Sequence, residues 1–204
     1  LRPDSLRKYF PIGLSYVASS AKRAGYKVDI LDLDAHSCPK DEVSDFISKG
    51  QYDVIGMGCI VTGYRFVKAF SSLIKDVSPR TTIVVGNSVA SSIPEILLSH
   101  TKADIVVFGE GDVTFPDLLD AISSGQDLST VEGIAFRQDG KLIKTPDRPI
   151  IRDIDSIPSP FWDTFDMEFY IGNISRNFNE PLPPIDRAKI RAFNINTARG
   201  CPFR

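Results

Sequence analysis

The sequence predicts an α/β fold: a doubly wound parallel sheet with helices on both faces. Short apolar runs that suit buried strands alternate with longer stretches whose apolar residues recur at helical spacing, and this alternation is typical of parallel sheets covered by helices. Glycine follows most of these runs, where strands and helices are expected to end. With 204 residues, 42% of them hydrophobic, the chain can bury a substantial core.

The predicted elements follow one another in a regular order. Four strands are predicted from the apolar runs, at 28–33, 53–58, 82–86 and 104–109. The first helix is predicted over 12–24, with Leu14, Val17, Ala21 and Ala24 on one face and Gly25 as its cap. Further helices are predicted before Gly50, over 66–77, and after two helix-start patterns at 92–95 and 114–117, the last ending at Gly125.

Beyond residue 125 the pattern changes. The segments GIAFR and KLIKT flank Asp139-Gly140, a pair typical of tight hairpin turns, so a β-hairpin is predicted. The stretch 146–184 is rich in proline and predicts an irregular connector, and residues 190–200 predict a new strand running into a loop. The predicted divisions are thus 1–125, 126–189 and 190–204.

The ends of the chain suggest a piece of a longer protein. The sequence begins without methionine, in a loop and a helix, whereas a doubly wound sheet begins with its central strand. We therefore expect a strand to precede Leu1; without it, the sheet is open at its middle or another segment takes the place.

Composition excludes several classes of function. A net charge of −2 with dispersed Lys and Arg offers no basic stripe for nucleic acid. No apolar run approaches the roughly 20 residues that cross a bilayer, and the first residues lack the apolar stretch of a signal peptide. Three widely spaced cysteines argue against a disulfide framework. We expect a cytoplasmic protein with neither a nucleic-acid nor a membrane partner.

The predicted ligand site lies where the parallel strands end, because doubly wound sheets bind ligands at the carboxyl ends of their strands. The loops there, 59–63, 87–91 and 110–112, consist mostly of small or short polar residues. Five glycines would let a large ligand approach the backbone, although the same glycines also suit ordinary strand ends and turns. They are Gly56, Gly58, Gly86, Gly109 and Gly111.

Five segments, taken in order, resemble the cobalamin-binding radical S-adenosylmethionine (SAM) enzyme family. They are PIGL at 11–14, GNSVASSIPEILL at 86–98, VVFGEGDVTFPDLL at 106–119, DSIPSPFWD at 155–163 and INTARGCPFR at 195–204. The resemblance implies a flavodoxin-like (Rossmann-like) cobalamin-binding domain followed, in the same chain, by a partial barrel that carries a Cys-x-x-x-Cys-x-x-Cys motif.

The resemblance also implies cofactors and their residues. Cys201 would be the first ligand of a [4Fe-4S] cluster that binds SAM, with further cysteines expected at 205 and 208. We therefore expect the present chain alone neither to hold the cluster nor to cleave SAM. The full-length enzyme would transfer a methyl group or carry out a radical rearrangement. The implied cobalamin-binding residues are Cys59, Val61, Thr62, Gly86, Asn87, Val89, Gly109, Glu110 and Gly111. Glu110 is equally consistent with capping or bracing its own loop.

Two departures from the family pattern bear on the cofactor. Relatives commonly have a second glycine where this chain has Asn87. The spacing Asp34-Ala35-His36 imitates an Asp-x-His cobalt-ligand motif, but it follows the wrong strand and Pro39 replaces the required glycine, so His36 is interpreted as an ordinary loop residue. His100 is interpreted as a favourable charge at a helix end, and Cys38 has no recognisable partner.

Other functions remain open at this stage. A scaffold of the same architecture that no longer binds cobalamin would be consistent with Asn87. A nucleotide or flavin binder would require a Gly-x-Gly-x-x-Gly loop after the first strand, which the sequence does not show. A receiver domain is excluded because it needs an aspartate directly after the strand at 53–58, where this chain has Cys59.

Overall fold

The computed structural model describes residues 9–33, 35, 38–173, 190–193, 195, 196 and 199. Within this part, one five-stranded sheet has the order β1-β2-β3-β4-β5. The first three strands run parallel, and the last two continue the sheet antiparallel. The strands are β1 (Val54–Gly58), β2 (Thr82–Gly86), β3 (Ile105–Val107), β4 (Ile134–Gln138) and β5 (Lys141–Lys144).

Seven α-helices accompany the sheet in the described residues, and several end where glycine was expected. Gly25 and Gly125 follow the helices at 12–23 and 111–124 with φ of 98° and 66°, the left-handed conformation that glycine adopts without steric cost. The helices are α1 (Ile12–Arg23), α2 (Lys40–Gly50), α3 (Tyr64–Val77), α4 (Ser88–Ser92), α5 (Pro94–His100), α6 (Gly111–Ser124) and α7 (Met167–Asn173).

The core lies on both faces of the sheet, as the predicted α/β class requires. Alternate residues of a strand point to opposite faces, so Ile83 and Val85 belong to one apolar cluster while Val84 belongs to the other. Residues of α2, α3, α4 and α5 cover the first face. Residues of α6, among them the fully buried Leu118, cover the second.

The predicted strand at 28–33 is not formed, because the segment makes no ladder with a neighbouring strand. A strand exists only through backbone hydrogen bonds to a neighbour. Leu31 and Leu33 nevertheless pack against the first core cluster, and β1 forms the edge of the sheet with Gly56 and Gly58 exposed. A strand preceding Leu1 stays a prediction.

Three helical predictions need correction. α6 begins at Gly111 rather than near Thr114 and contains Pro116 in its second turn. The short helix α4 was not predicted. In α1 the buried face includes Ser15, Ala18 and Ala21, whereas Leu14 is exposed. α1 packs closely against α6: a β-carbon on Gly111 would lie 3.1 Å from the Val17 side chain, which favours small residues at this contact.

The predicted hairpin is confirmed, and it extends the main sheet. Asp139 and Gly140 have φ of 52° and 75°, the pair of positive values that a type I′ turn requires. β4 pairs antiparallel with β3, placing Ile134 opposite Val107. Because β4 covers the edge of β3 that would otherwise be exposed, the hairpin is an integral part of the sheet.

The described part of the connector, which extends to residue 173, is more regular than the prolines predicted. It contains α7, and its aromatic residues pack around Phe10, whose ring centroid lies 4.9 Å from that of Phe165 and 5.4 Å from that of Tyr170. The Tyr170 hydroxyl donates to Asp32 at 2.6 Å. This third cluster therefore ties the connector to the segment at 28–33. Residues 190–193 are not in a strand, and the rest of the strand predicted at 190–200 lies largely outside the described residues.

Candidate functional site

Three loops at the carboxyl ends of β1, β2 and β3 are joined by hydrogen bonds. The Cys59 amide donates to the Gly86 carbonyl at 2.9 Å, and the Val89 amide donates to the Cys59 carbonyl at 3.1 Å. The Gly109 amide donates to the Ser91 hydroxyl at 3.1 Å. The loops predicted to share one edge of the sheet therefore form a continuous surface, which we call the rim: residues 58–63, 86–91 and 108–113.

The rim residues predicted from the sequence fall into three groups by exposure. Val61, with 81% of its surface accessible, Thr62, Asn87 and Gly109 are exposed, and Gly86, Glu110 and Gly111 are half-buried. Cys59 and Val89 are buried and belong to the first core cluster. Their side chains face the core, so these two residues offer a ligand only their backbone.

Burial also determines the chemistry of Cys59. Desolvation raises the pKa of its thiol, because burial disfavours the charged thiolate. A thiol held in its neutral form is a poor nucleophile. Cys59 therefore acts as a small apolar residue of the core beneath the rim and not as a reactive thiol.

Asn87 has a backbone conformation that normally requires glycine. Its φ of 77° and ψ of −171° lie in a region occupied almost only by glycine, and a side chain there costs about 1–3 kcal/mol. The side-chain oxygen accepts from the Ser88 amide at 2.6 Å, and the side-chain nitrogen lies 3.5 Å from where a β-carbon on Gly58 would be. The backbone at position 87 thus has the conformation that glycine would adopt, although the residue there is asparagine.

Replacing Asn87 with glycine is expected to stabilise the protein. Relief of the strain should outweigh the lost Ser88 contact and the greater freedom of the unfolded chain, leaving a net gain of about 1 kcal/mol. Urea denaturation measures this change. The matched control is Gln51→Gly: Gln51 has φ of 46° and ψ of 47°, a left-handed conformation that side chains tolerate better, so its gain should be smaller. An equal gain at both positions would contradict the assigned strain.

Exposed apolar side chains at the rim were not singled out from the sequence. Ile60 follows β1, Val113 lies in the first turn of α6, and both are exposed. Leu14 is also exposed, and it lies one turn before Val17, the residue of α1 that contacts Gly111 at the start of α6. Exposed apolar patches often mark a binding surface. For Ile60 and Val113 the signal in the sequence was their position in a loop and in a first helical turn, whereas Leu14 was predicted on the apolar face of the first helix and is exposed instead.

The residues 109–112 have the sequence GEGD, which we call the GEGD motif. Both of its carboxylates bind other groups of the protein. Glu110 accepts from the Ile151 amide at 2.6 Å and pairs with Arg199 at 3.1 Å. Asp112 also pairs with Arg199. The side chain of Glu110 is therefore held by the connector and by Arg199, while its backbone remains part of the rim.

The histidines and cysteines do not form a metal centre in the described residues. No group of three or more His, Cys, Asp or Glu side chains there is placed to hold a metal ion. His100 ends α5, shortly before β3 begins, and so lies at the edge of the sheet opposite the rim. The positions predicted for His36 and Cys201 lie outside the described residues.

The rim exposes backbone, apolar side chains and hydrogen-bonding groups side by side. Gly58 and Gly109 are exposed, and a β-carbon on Gly109 would project into open space. A ligand can therefore lie against the backbone at these positions. Exposed Val61 and Val113 provide apolar contact, and Thr62 and Asn87 provide hydrogen-bonding groups.

Solved structures share this architecture. The radical S-adenosylmethionine methyltransferase TsrM from Kitasatospora setae, solved with tryptophan and a SAM analog, superposes with a TM-score of 0.63 and is 18% identical, covering 68% of this chain and 28% of its own. The cobalamin-dependent radical enzyme OxsB, solved with aqua-cobalamin and S-adenosylmethionine, gives a TM-score of 0.64 at 17% identity, covering 84% of this chain and 23% of its own. These likenesses confirm the fold.

Curated relatives match over most of this chain. An uncharacterized methyltransferase from Pyrococcus horikoshii is 29% identical over 95% of the chain and 39% of its own length. The anaerobic magnesium-protoporphyrin IX monomethyl ester cyclase of Rubrivivax gelatinosus is 30% identical over 95% of the chain and 33% of its length. The chain thus spans well under half the length of these relatives.

A family model decides the assignment. The model of the B12 binding domain matches residues 5–119, which is more than half of the chain and contains all three rim loops. The parallel strands, the linked loops at their carboxyl ends and this match agree with one another. The chain belongs to the B12-binding domain family.

Proposed function

We propose that this chain binds cobalamin at the rim and presents it to a radical SAM barrel in the same polypeptide. The observation that carries the proposal is the set of three hydrogen-bonded loops that expose the backbone of Gly58 and Gly109 beside apolar side chains. Relatives named as methyltransferases support the wider assignment to a cobalamin-dependent radical SAM enzyme.

Individual rim residues would have different roles. The corrin would lie against the backbones of Gly86, Gly109, Glu110 and Gly111. Three of these residues are glycines, and the fourth, Glu110, is half-buried. Thr62 and Asn87 would hydrogen-bond to its peripheral amides, and Val61 would cover its edge. Cys59 and Val89 would support this surface from the core.

The cobalt would be held without a histidine from the rim. Among the described residues His100 is at the opposite edge of the sheet, and the Asp34-Ala35-His36 triplet is followed by Pro39 instead of the glycine of the ligand motif. The nucleotide tail of cobalamin would then lie between the sheet and its helices.

In the full-length enzyme, cobalamin would supply a methyl group or take part in a radical rearrangement. The family resemblance makes Cys201 the first ligand of a [4Fe-4S] cluster. Cys38 and Cys59 are free thiols, which suits a reducing compartment such as the cytoplasm. None of the helices in the described part of the chain combines the length and the apolar character needed to cross a membrane.

Binding of hydroxocobalamin tests the proposal directly. The purified chain is incubated with excess hydroxocobalamin, passed through a desalting column and examined by absorbance. We expect corrin bands to co-elute with the protein at about one equivalent, as one pocket per domain implies. A chain that elutes folded, by circular dichroism, but without corrin bands would contradict the proposal.

A scaffold that has lost its cofactor is the second candidate, and Asn87 is the observation that favours it. The family pattern has glycine at position 87, which would leave the backbone there open. In this chain the Asn87 side chain lies next to Gly58 instead. The two functions differ in the Asn87→Gly variant. If this variant retains cobalamin while the natural chain does not, the natural chain is a scaffold and Asn87 is the cause.

A further inference from the structure

Arg199 joins two carboxylates of the rim to the end of the chain. Its Nε lies 3.1 Å from Glu110 Oε1, and its Nη2 pairs with Asp112 Oδ2. The second oxygen of Glu110 accepts from the Ile151 amide at 2.6 Å. The first turn of α6 and the loop before it thus contact the connector at Ile151 and the chain again at Arg199.

Burial sets this cluster apart from an ordinary surface ion pair. The Asp112 side chain is 3% exposed, and Glu110 and Arg199 are 24% and 31% exposed. Another pair from the same segment, Arg191 with Glu168, is 60% and 70% exposed. Exposed pairs contribute little to stability, whereas a buried carboxylate that loses its partner is strongly unfavourable. Asp112 therefore depends on Arg199, because its other oxygen has no hydrogen-bond partner among the residues that the structure describes.

We propose that Glu110, Asp112 and Arg199 form a latch that fixes the chain to the rim at Arg199, two residues before the cysteine that the family resemblance makes a cluster ligand. The inference rests on the proposed function, since it takes Cys201 to be a cluster ligand and the rim to hold cobalamin. Cys201 follows Arg199 by two residues, and two extended residues span at most about 7 Å. An anchor at Arg199 therefore limits how far the cluster motif can lie from the corrin.

The latch gives the GEGD motif two separate tasks. The backbone of Gly109, Glu110 and Gly111 faces the cofactor site, while the side chains of Glu110 and Asp112 fix the neighbouring segment. Glu110, Asp112 and Arg199 are therefore positioning residues. Their loss should move the segment before Cys201 without removing the surface that binds cobalamin.

Cross-linking measures the position of that segment. Val113 is exposed and directly follows Asp112, so a Val113→Cys variant of the whole chain places a thiol beside the latch. A short bismaleimide should then join residues 113 and 201, and mass spectrometry of the linked peptide gives the yield. We expect Arg199→Gln in this background to lower the yield about fivefold or more, because a buried charge pair is broken. Arg199→Lys, which keeps the charge, should restore part of the yield.

Two further variants keep the test decisive. Arg191→Gln breaks the exposed pair on the same segment and should leave the yield unchanged. The double variant Asp112→Asn with Arg199→Gln removes the buried carboxylate together with its partner and leaves only the half-buried Glu110, which keeps the Ile151 amide, and it should lose the cross-link as the single variant does. Unchanged cross-linking in the folded double variant would overturn the latch. Absence of the cross-link in the Val113→Cys variant that carries no other substitution would overturn it as well.

Hydroxocobalamin retention separates this inference from the proposed function. It is measured in the same variants without the introduced cysteine, and Arg199→Gln should match the natural chain within about twofold, since Arg199 contributes no backbone to the rim. Failure of the natural chain to retain cobalamin contradicts the proposed function and leaves the cross-linking result to be judged by itself. Normal retention with unchanged cross-linking in Arg199→Gln overturns the latch alone.

Discussion

Replacing Gly109 with alanine should abolish most of the affinity of the protein for cobalamin. Gly109 is exposed at the rim with φ of 74°, and a β-carbon there would meet no protein atom within 4 Å. The added methyl group would therefore project into the space that we assign to the corrin, and the backbone would resist the left-handed conformation. We expect the dissociation constant for hydroxocobalamin to rise about tenfold or more, equivalent to about 1.4 kcal/mol.

Gly125→Ala is the matched control for this prediction. Gly125 also has a positive φ, 66°, and a β-carbon there likewise meets nothing within 4 Å, but it caps the far end of α6. Both substitutions should lower the free energy of unfolding by similar amounts, about 1 kcal/mol, and only Gly109→Ala should weaken binding. Spectrophotometric titration and urea denaturation separate the two effects. Equal affinities in the two variants would mean that the ligand lies elsewhere.

Replacing Leu118 with alanine should be the most destabilising of the substitutions considered. Leu118 is fully buried on α6, in the apolar cluster that joins this helix to the second face of the sheet. Truncating a buried leucine removes transfer free energy and leaves a cavity, at a cost of about 2–5 kcal/mol. Urea denaturation should therefore show a lower midpoint with an unchanged slope.

Ile96→Ala provides the comparison for Leu118. Ile96 is a similarly large apolar residue on α5, but it is exposed, so truncation should change the free energy of unfolding by less than about 0.5 kcal/mol. A cost for Leu118→Ala no greater than that for Ile96→Ala would show that α6 does not pack on the sheet as described. That result would also remove the support for the rim, since α6 carries Gly111 and Asp112.

The periodicity of the sequence predicted most of the fold. The runs at 53–58, 82–86 and 104–109 became β1, β2 and β3, and the Asp139-Gly140 turn joined the predicted hairpin. These elements are specified locally, by alternation of apolar residues and by backbone conformations that only a few residue types favour. The segment at 28–33 has the same apolar pattern but lacks a ladder, because pairing depends on a neighbour that its own residues do not encode.

The rim was predictable in location but not in detail. Strand ends of a parallel sheet meet at one edge, so the loops containing Thr62, Asn87 and Gly109 could be grouped before the structure was known. The directions of individual side chains could not. Cys59 and Val89 face the core, and the strain at Asn87 became visible only as a backbone angle.

The sequence by itself determined the α/β class, the order of most helices and strands, and the edge of the sheet at which three loops meet, since all of these follow from local periodicity and turn chemistry. Only the tertiary structure decided that Glu110 and Asp112 pair with Arg199, which is 87 residues beyond Asp112. Nothing in the neighbourhood of either carboxylate in the sequence specifies this partner. Such a pair forms because burial near α6 makes an uncompensated carboxylate unfavourable and the folded chain brings a guanidinium within reach.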